Sequence, residues 1–192
     1  MFDEIVARYR DLLEDLDTFA YTVTLPDSGA LSIEDAVHRL GCDPLTLIGD
    51  EDQHSPGSLH LYRVDQGIVT LDWTNPGEER QEVSNRLSGP GFRHWYVSVD
   101  IEGNTSMYVR YGNLEGDLDH PGPIDIPFHE RSERLGPMNG YRELLAAGYD
   151  SDVAEAEIDI TAACLTVVEL ESGVRLSDEL MDAPHSTLPM VT

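Results

Sequence analysis

The sequence predicts an α+β fold: a mixed or mostly antiparallel sheet of five to six strands with helices packed on it. Three observations lead there. The chain opens with apolar residues at helical spacing, its middle holds two pairs of β-rich segments joined by short glycine-containing turns, and Ile158 to Leu170 is apolar nearly all round. At 192 residues the chain has enough material for one substantial core and too little for two ordinary domains. Residues 1–184 therefore read as a single domain and 185–192 as a frayed tail.

Each element has its own warrant. Phe2, Ile5, Val6, Tyr9, Leu12, Leu13 and Leu16 form one wide apolar stripe, so residues 1–17 read as an amphipathic helix. Tyr21 to Leu25 is a strand stopped by Pro26-Asp27-Ser28-Gly29. Ser32, with Asp35 three residues on, caps a second helix that buries Ile33, Ala36, Val37 and Leu40 and stops at Gly41. Asp50 to Gly57 reads as an exposed loop, after which Leu59–Val64 and Ile68–Trp73 flank Asp65-Gln66-Gly67 as a hairpin. Asn75-Pro76 opens a third helix with Val83 and Leu87 on its thin apolar stripe, closed by Ser88-Gly89-Pro90-Gly91.

Phe92–Ile101 and Ser106–Tyr111 form a second hairpin, with Trp95, Val97, Val99 and Ile101 facing one way and His94, Tyr96, Ser98 and Asp100 the other. Residues 112–137, rich in Gly, Pro, Asp and His, read as an irregular surface excursion. Met138 to Ala147 suggests a short helix closed by Gly148. Ile158 to Leu170, with acids before it and Gly173 after it, suits a buried helix; the alternation of Ile158 with Ile160 and the Val167-Val168 pair leave a strand as the alternative. Ser177 caps a last helical turn.

Charge is the most unusual total. Twelve basic residues, all arginine, stand against 37 acidic ones, a formal net charge of −25. Direct nucleic-acid binding is excluded as an expectation, because phosphates need a positive footprint. The acidity suits a solvated surface, steering toward a basic protein, or mimicry of DNA's charge. No apolar run of membrane-spanning length occurs, and the N-terminus is acidic where a signal peptide would be basic, so neither membrane nor export is expected and the chain should stay in the cytoplasm. Cys42 and Cys164 stand alone and read as reduced core residues.

Several short stretches carry a resemblance. His38-Arg39-Leu40-Gly41 at the end of the second helix, Arg86-Leu87-Ser88-Gly89, the strand from His94 to Val99, and Ser172-Gly173-Val174-Arg175-Leu176-Ser177 with Glu179-Leu180 resemble an actinobacterial family of domains of unknown function. The resemblance spans about Ala20 to Pro184. It implies a high-GC actinobacterial or actinophage source, which would account for the missing lysines, and it supplies no catalytic residues.

Chemistry is sparse. No nucleophile elbow, P-loop, dinucleotide fingerprint, His-Glu-x-x-His or Cys-x-x-Cys is present. Asp50-Glu51-Asp52 and the Asp117, Asp119, His120 and Asp125 group lack the register of a calcium loop, and neither they nor His129 form a metal motif; no metal or cofactor is expected. The notable constellation is on the sheet. If the hairpins lie side by side, His60, Tyr62, His94, Tyr96, Asp100, Tyr108 and Arg110 share a face of aromatic bodies and polar tips, unless a helix covers it. Tyr62, His94, Tyr96, Asp100, Tyr108 and Arg110 are thus the candidate binding residues. The functional expectation is an acidic protein-binding or regulatory module, immunity-like in kind, acting on a basic protein partner. The alternative is a small-molecule-binding or hydrolytic enzyme using the His/Tyr/Arg face, and a third is a DNA-mimic inhibitor.

Overall fold

A computed structural model describes residues 2–49, 58–73, 78–120, 127–149 and 159–189. In chain order the elements are α1 (Phe2–Leu13), β1 (Phe19–Pro26), α2 (Ile33–Arg39), β2 (Ser58–Arg63), β3 (Ile68–Asp72), α3 (Glu78–Leu87), β4 (Phe92–Val99), β5 (Thr105–Tyr111), β6 (Leu114–His120), α4 (Phe128–Arg131), α5 (Arg142–Tyr149), α6 (Ile160–Ser172), α7 (Asp178–Met181) and β7 (Ser186–Pro189). Short 3-10 turns occupy Pro44–Thr46, Ser132–Arg134 and Gly136–Tyr141. The fold is α+β, with one sheet in the order β6-β5-β4-β1-β3-β2-β7. Every neighbouring pair is antiparallel, and there are seven strands where five to six were expected.

Alternation along the strands sorts residues onto two faces. Phe19, Tyr21 and Val23 of β1, Val69 and Leu71 of β3, Trp95 and Val97 of β4 and Met107 and Val109 of β5 meet Val6 and Tyr9 of α1 and the buried stripe of α6. Fully burying each such side chain contributes about 1.5–3 kcal/mol. The opposite face carries a smaller core, in which Leu59, Leu61 and Ile68 meet Ala36 and Val37 of α2 and Val83 and Leu87 of α3. Strand β1 lies between these layers, and all eight of its residues are buried.

Helix ends follow the capping chemistry. Ser32 accepts from the Asp35 amide at 3.1 Å, as its spacing predicts. The α2 and α3 ends are tied together: Arg39 donates to the carbonyls of Leu87 (3.0 Å) and Ser88 (2.8 Å), and Arg86 donates to the Leu40 carbonyl. Of the Ile158–Leu170 stretch, Ile158 lies outside the described residues and Ile160 onward forms a helix. Asp159 caps α6 by accepting from the Ala162 amide, nine consecutive residues from Ile160 to Val168 are buried, and Gly173 ends it at φ 73°.

Three expectations need correction. Residues 112–137 are not wholly irregular, because β6 runs through Leu114–His120 and short helical turns follow. Only Leu118 anchors β6 in the core, so its apolar signal is faint. Gly116 sits there because the backbone at Leu135 and Gly136 passes directly against it, leaving no room for a Cβ. The tail is also ordered in part: β7 pairs with β2 from Ser58↔Pro189 to Leu61↔Ser186 and buries Leu188. Gly148, finally, lies inside α5, where it lets α5 approach Ile160 and Ala163 of α6 closely. The loop predicted at Asp50 to Gly57, the Asn75-Pro76 cap and the acids from Asp150 to Glu157 lie outside the described residues.

Among the described residues no helix is long and apolar enough to cross a membrane. Both cysteines are free, and burial pushes the Cys164 thiol up, away from reactivity.

Gly116→Ala should lower stability by about 1–3 kcal/mol, because its methyl must displace the Leu135 carbonyl and the turn behind it. Urea midpoints of the two chains check this; equal midpoints would mean that β6 and the turn can separate freely.

Candidate functional site

On the face that carries α2 and α3, the strand registers line up polar side chains in three rungs. One runs Thr24, His94, Arg110, Glu115; the next Thr70, Thr22, Tyr96, Tyr108, Asp117; the last Asp72, Ala20, Ser98, Ser106, Asp119. Helices cover the first members of each rung and leave the last ones open. Thr22, Thr24, Thr70, Asp72 and His94 are buried, whereas Tyr96, Tyr108, Ser106, Arg110 and Asp117 are half-buried and Asp119 is exposed.

The uncovered part is a groove of about 710 Å³. Tyr96, Ser98, Ser106 and Tyr108 form its floor, Ser84 and Asn85 of α3 one wall, and Glu133, Arg134 and Gly136 the other. Among the described residues five carboxylates, from Asp100, Glu115, Asp117, Asp119 and Glu133, line it together with one guanidinium, that of Arg134. Arg134 reaches Asp117 at 2.9 Å but is itself 78% exposed, so solvent screens that pair. Burial raises the Asp117 carboxyl above its ordinary value, and Asp119 and Glu115 raise it further against the pull of Arg134.

Asp100 closes one end. Its carboxylate accepts from the amides of Glu102 (2.8 Å) and Asn104 (2.9 Å) and from the Asn104 side chain (2.7 Å), which shapes the β4–β5 turn. Burial alone would raise its pKa, but these hydrogen bonds outweigh burial and hold it below the usual carboxylate range. Arg110 donates to the Gly112 carbonyl at 3.0 Å and lies 3.4 Å from Glu115, at the groove's margin.

His94 is the deepest of the predicted residues. Its ring is fully buried, with Nδ1 2.8 Å from the Thr24 hydroxyl and Nε2 2.5 Å from that of Ser84. Burial, with Arg39 and Arg110 adding, holds its pKa down to about 3. A neutral ring donates from one nitrogen and accepts at the other, which suits two hydroxyl partners. The Ser84–His94 contact has the reach of a nucleophile and its base. It lacks the carboxylate that would orient and stabilise an imidazolium, and the ring resists taking a proton, so the pair stitches α3 to the sheet.

Of the candidate binding residues, Tyr96, Asp100 and Tyr108 line the groove, Arg110 flanks it, and His94 lies beneath α3. Tyr62 does not join them. It pairs with Val69, which pairs with Val23, so Tyr62 faces the other side of the sheet, and His60, opposite Leu71, does likewise. One residue's shift in parity between the two hairpins separates the sets. Glu115 goes unmarked in the sequence, and Asp117 and Asp119 read there only as part of an acidic loop; their alternation with Leu114, Gly116 and Leu118 is the signal that places all three on a strand. The acidic group around residue 120 is split, with Asp117 and Asp119 on the groove face and His120 on the other, while Asp125 lies outside the described residues. Among the described residues no group of three His, Cys, Asp or Glu could hold a metal ion.

Unfolding frees the His94 ring to protonate near its ordinary 6.5, whereas the folded ring stays neutral to about 3. Its contribution to stability is therefore constant above pH 6.5 and is lost as pH falls from 6.5 toward 3. His94→Gln should cost about 1–3 kcal/mol near neutrality yet lose less further stability on acidification than the wild type. Urea titrations at several pH values check this; parallel losses would place the acid sensitivity elsewhere.

A comparison of the chain with family models, curated proteins and solved structures finds no match, which leaves the groove's own chemistry as the ground for a functional reading.

Proposed function

We propose that the chain is a binding module that takes a basic polypeptide segment into the groove over β4, β5 and β6. The observation that carries this reading is a tyrosine-floored groove whose described lining sets five carboxylates against one exposed guanidinium. Such a site repels anions and gains when a cation replaces the water that now solvates its carboxylates. The raised Asp117 carboxyl supports it, since a lysine or arginine placed there would relieve the crowding by Asp119 and Glu115. Tyr96 and Tyr108, directly paired across β4 and β5, offer flat, half-buried rings against which aliphatic stems or a guanidinium plane can pack. The net charge of −25 adds long-range attraction to a basic partner.

Two kinds of variant separate charge from contact. Replacing Glu115, Asp117 and Asp119 with their amides should slow association of an arginine-rich peptide and weaken it about tenfold. Removing three charges from α1, at Asp3, Glu4 and Asp11, should change it far less. Tyr108→Ala should chiefly speed dissociation. Stopped-flow kinetics at two salt concentrations check all three; equal effects from the groove and α1 triples would reduce the binding to nonspecific attraction and sink the proposal.

A further inference from the structure

A second cavity, of about 470 Å³, opens on the other face of the sheet near its β7 edge. It sits where three segments meet: the α1–β1 connection, the ends of β2 and β3, and the connection from α7 to β7. Tyr62, Trp73 and His185 wall it, and Asp15, Asp17 and Asp182 stand at its rim. The His185 ring packs against Tyr62 and against His60, each at 4.9 Å between centroids, which fixes one wall. Trp73 stays half-buried, and the three aspartates are exposed.

The geometry points to a binding site for an alkylammonium group, held between the aromatic walls and the aspartate rim. The electron-rich indole of Trp73 attracts a cation, best one whose charge is spread and weakly hydrated, while Tyr62, 2% exposed and packed against His185, backs that wall. The carboxylates add attraction of the same sign, and among the described residues no arginine lines the cavity to oppose it. A hard metal ion fits poorly, because none of these carboxylates belongs to a group of three His, Cys, Asp or Glu able to hold one. A neutral apolar ligand would gain from the aromatic walls alone and nothing from the rim. The site lies on the opposite face from the groove, and its existence does not depend on the groove's function.

The two tryptophans make the test internal to the protein. Trp95 is fully buried and donates to the Tyr111 hydroxyl at 2.9 Å, so its indole N–H resonance reports the fold, while that of Trp73 reports the cavity. Titrating the full chain with tetramethylammonium chloride should move the Trp73 resonance saturably and leave Trp95 in place. Sodium chloride at equal ionic strength should not move it. The neutral isostere 3,3-dimethylbutanol should bind about threefold more weakly or worse. The triple variant Asp15→Asn, Asp17→Asn, Asp182→Asn should weaken tetramethylammonium about fivefold while its Trp95 resonance stays unchanged. An acetylated trimethyllysine amide, compared with tetramethylammonium, tells the two sources apart: tighter binding assigns the site to a modified protein side chain, and weaker binding to a free amine. A silent Trp73, an equal response to sodium chloride, or equal affinity for the neutral isostere would each overturn the proposal.

Discussion

Complete burial of strand β1 is the constraint on which the rest of the structure depends. A central strand buried at all eight positions needs a layer on each face, and its sequence supplies different materials for the two. Phe19, Tyr21 and Val23 meet the α1/α6 layer, an apolar environment in which each side chain loses its water without penalty. The alternate residues Ala20, Thr22 and Thr24 face α2 and α3, and there hydroxyls must find partners. Thr22 bonds Thr70 at 2.7 Å, and Thr24 bonds His94, which in turn meets Ser84 of α3. The covered half of this face is thus closed by hydrogen bonds as much as by apolar contact. Its helices are also fewer, because α2 and α3 together bury only a compact cluster over β2 and β3.

The groove follows from that imbalance. On the first face α6 spans β1, β4 and β5 and is sealed at its C-terminal end, where Glu169 accepts from Arg8 and Tyr9 and Glu171 from Tyr111 and Tyr141. Among the described residues no equivalent helix continues α3 across β5 and β6 on the second face, so the same polar rungs that are buried beneath α3 emerge from its cover. A rung passes from threonine pairs in the core to Tyr96, Tyr108 and Asp117 at the open end. Burying those outer residues without partners would cost several kcal/mol in desolvated carboxylates, which is why such a surface stays open in the absence of a counter-charge.

Where local chemistry decided the outcome, the sequence was legible. The caps at Ser32 and Ser177, the glycine stops at Gly41 and Gly173, both hairpins and the facing of β4 all follow from side-chain rules that act within a few residues. What escaped depends on partners distant in the chain. β6 reads as loop because its outward positions are acids and its inward ones include Gly116, whose reason lies in the backbone of Leu135 and Gly136. β7 is four residues long and becomes a strand only because β2 offers it an edge. Gly148 looks like a helix stop until α6 is packed against it. The candidate residues share these limits: Tyr96, Asp100 and Tyr108 belong to one hairpin and line the same groove, whereas the side on which Tyr62 falls depends on the parity between hairpins, which β1 sets.

Net charge by itself selects no partner, because a surface of −25 attracts every cation at long range and screening erases much of that within a Debye length. Selectivity has to come from places where carboxylates stand beside aromatic area and shape. Among the described residues two such places stand out, on opposite faces: the Tyr96–Tyr108 floor beside Asp117 and Asp119, and the Tyr62–Trp73 walls beside Asp17 and Asp182. The first is an open trough matched to an extended chain with several charges, the second a smaller recess matched to one compact headgroup. Elsewhere, as along the exposed acids of α1, carboxylates stand without an aromatic floor and remain hydrated. Acidity thus sets the sign of what approaches this protein, and the aromatic rings beside the carboxylates decide where it can stay.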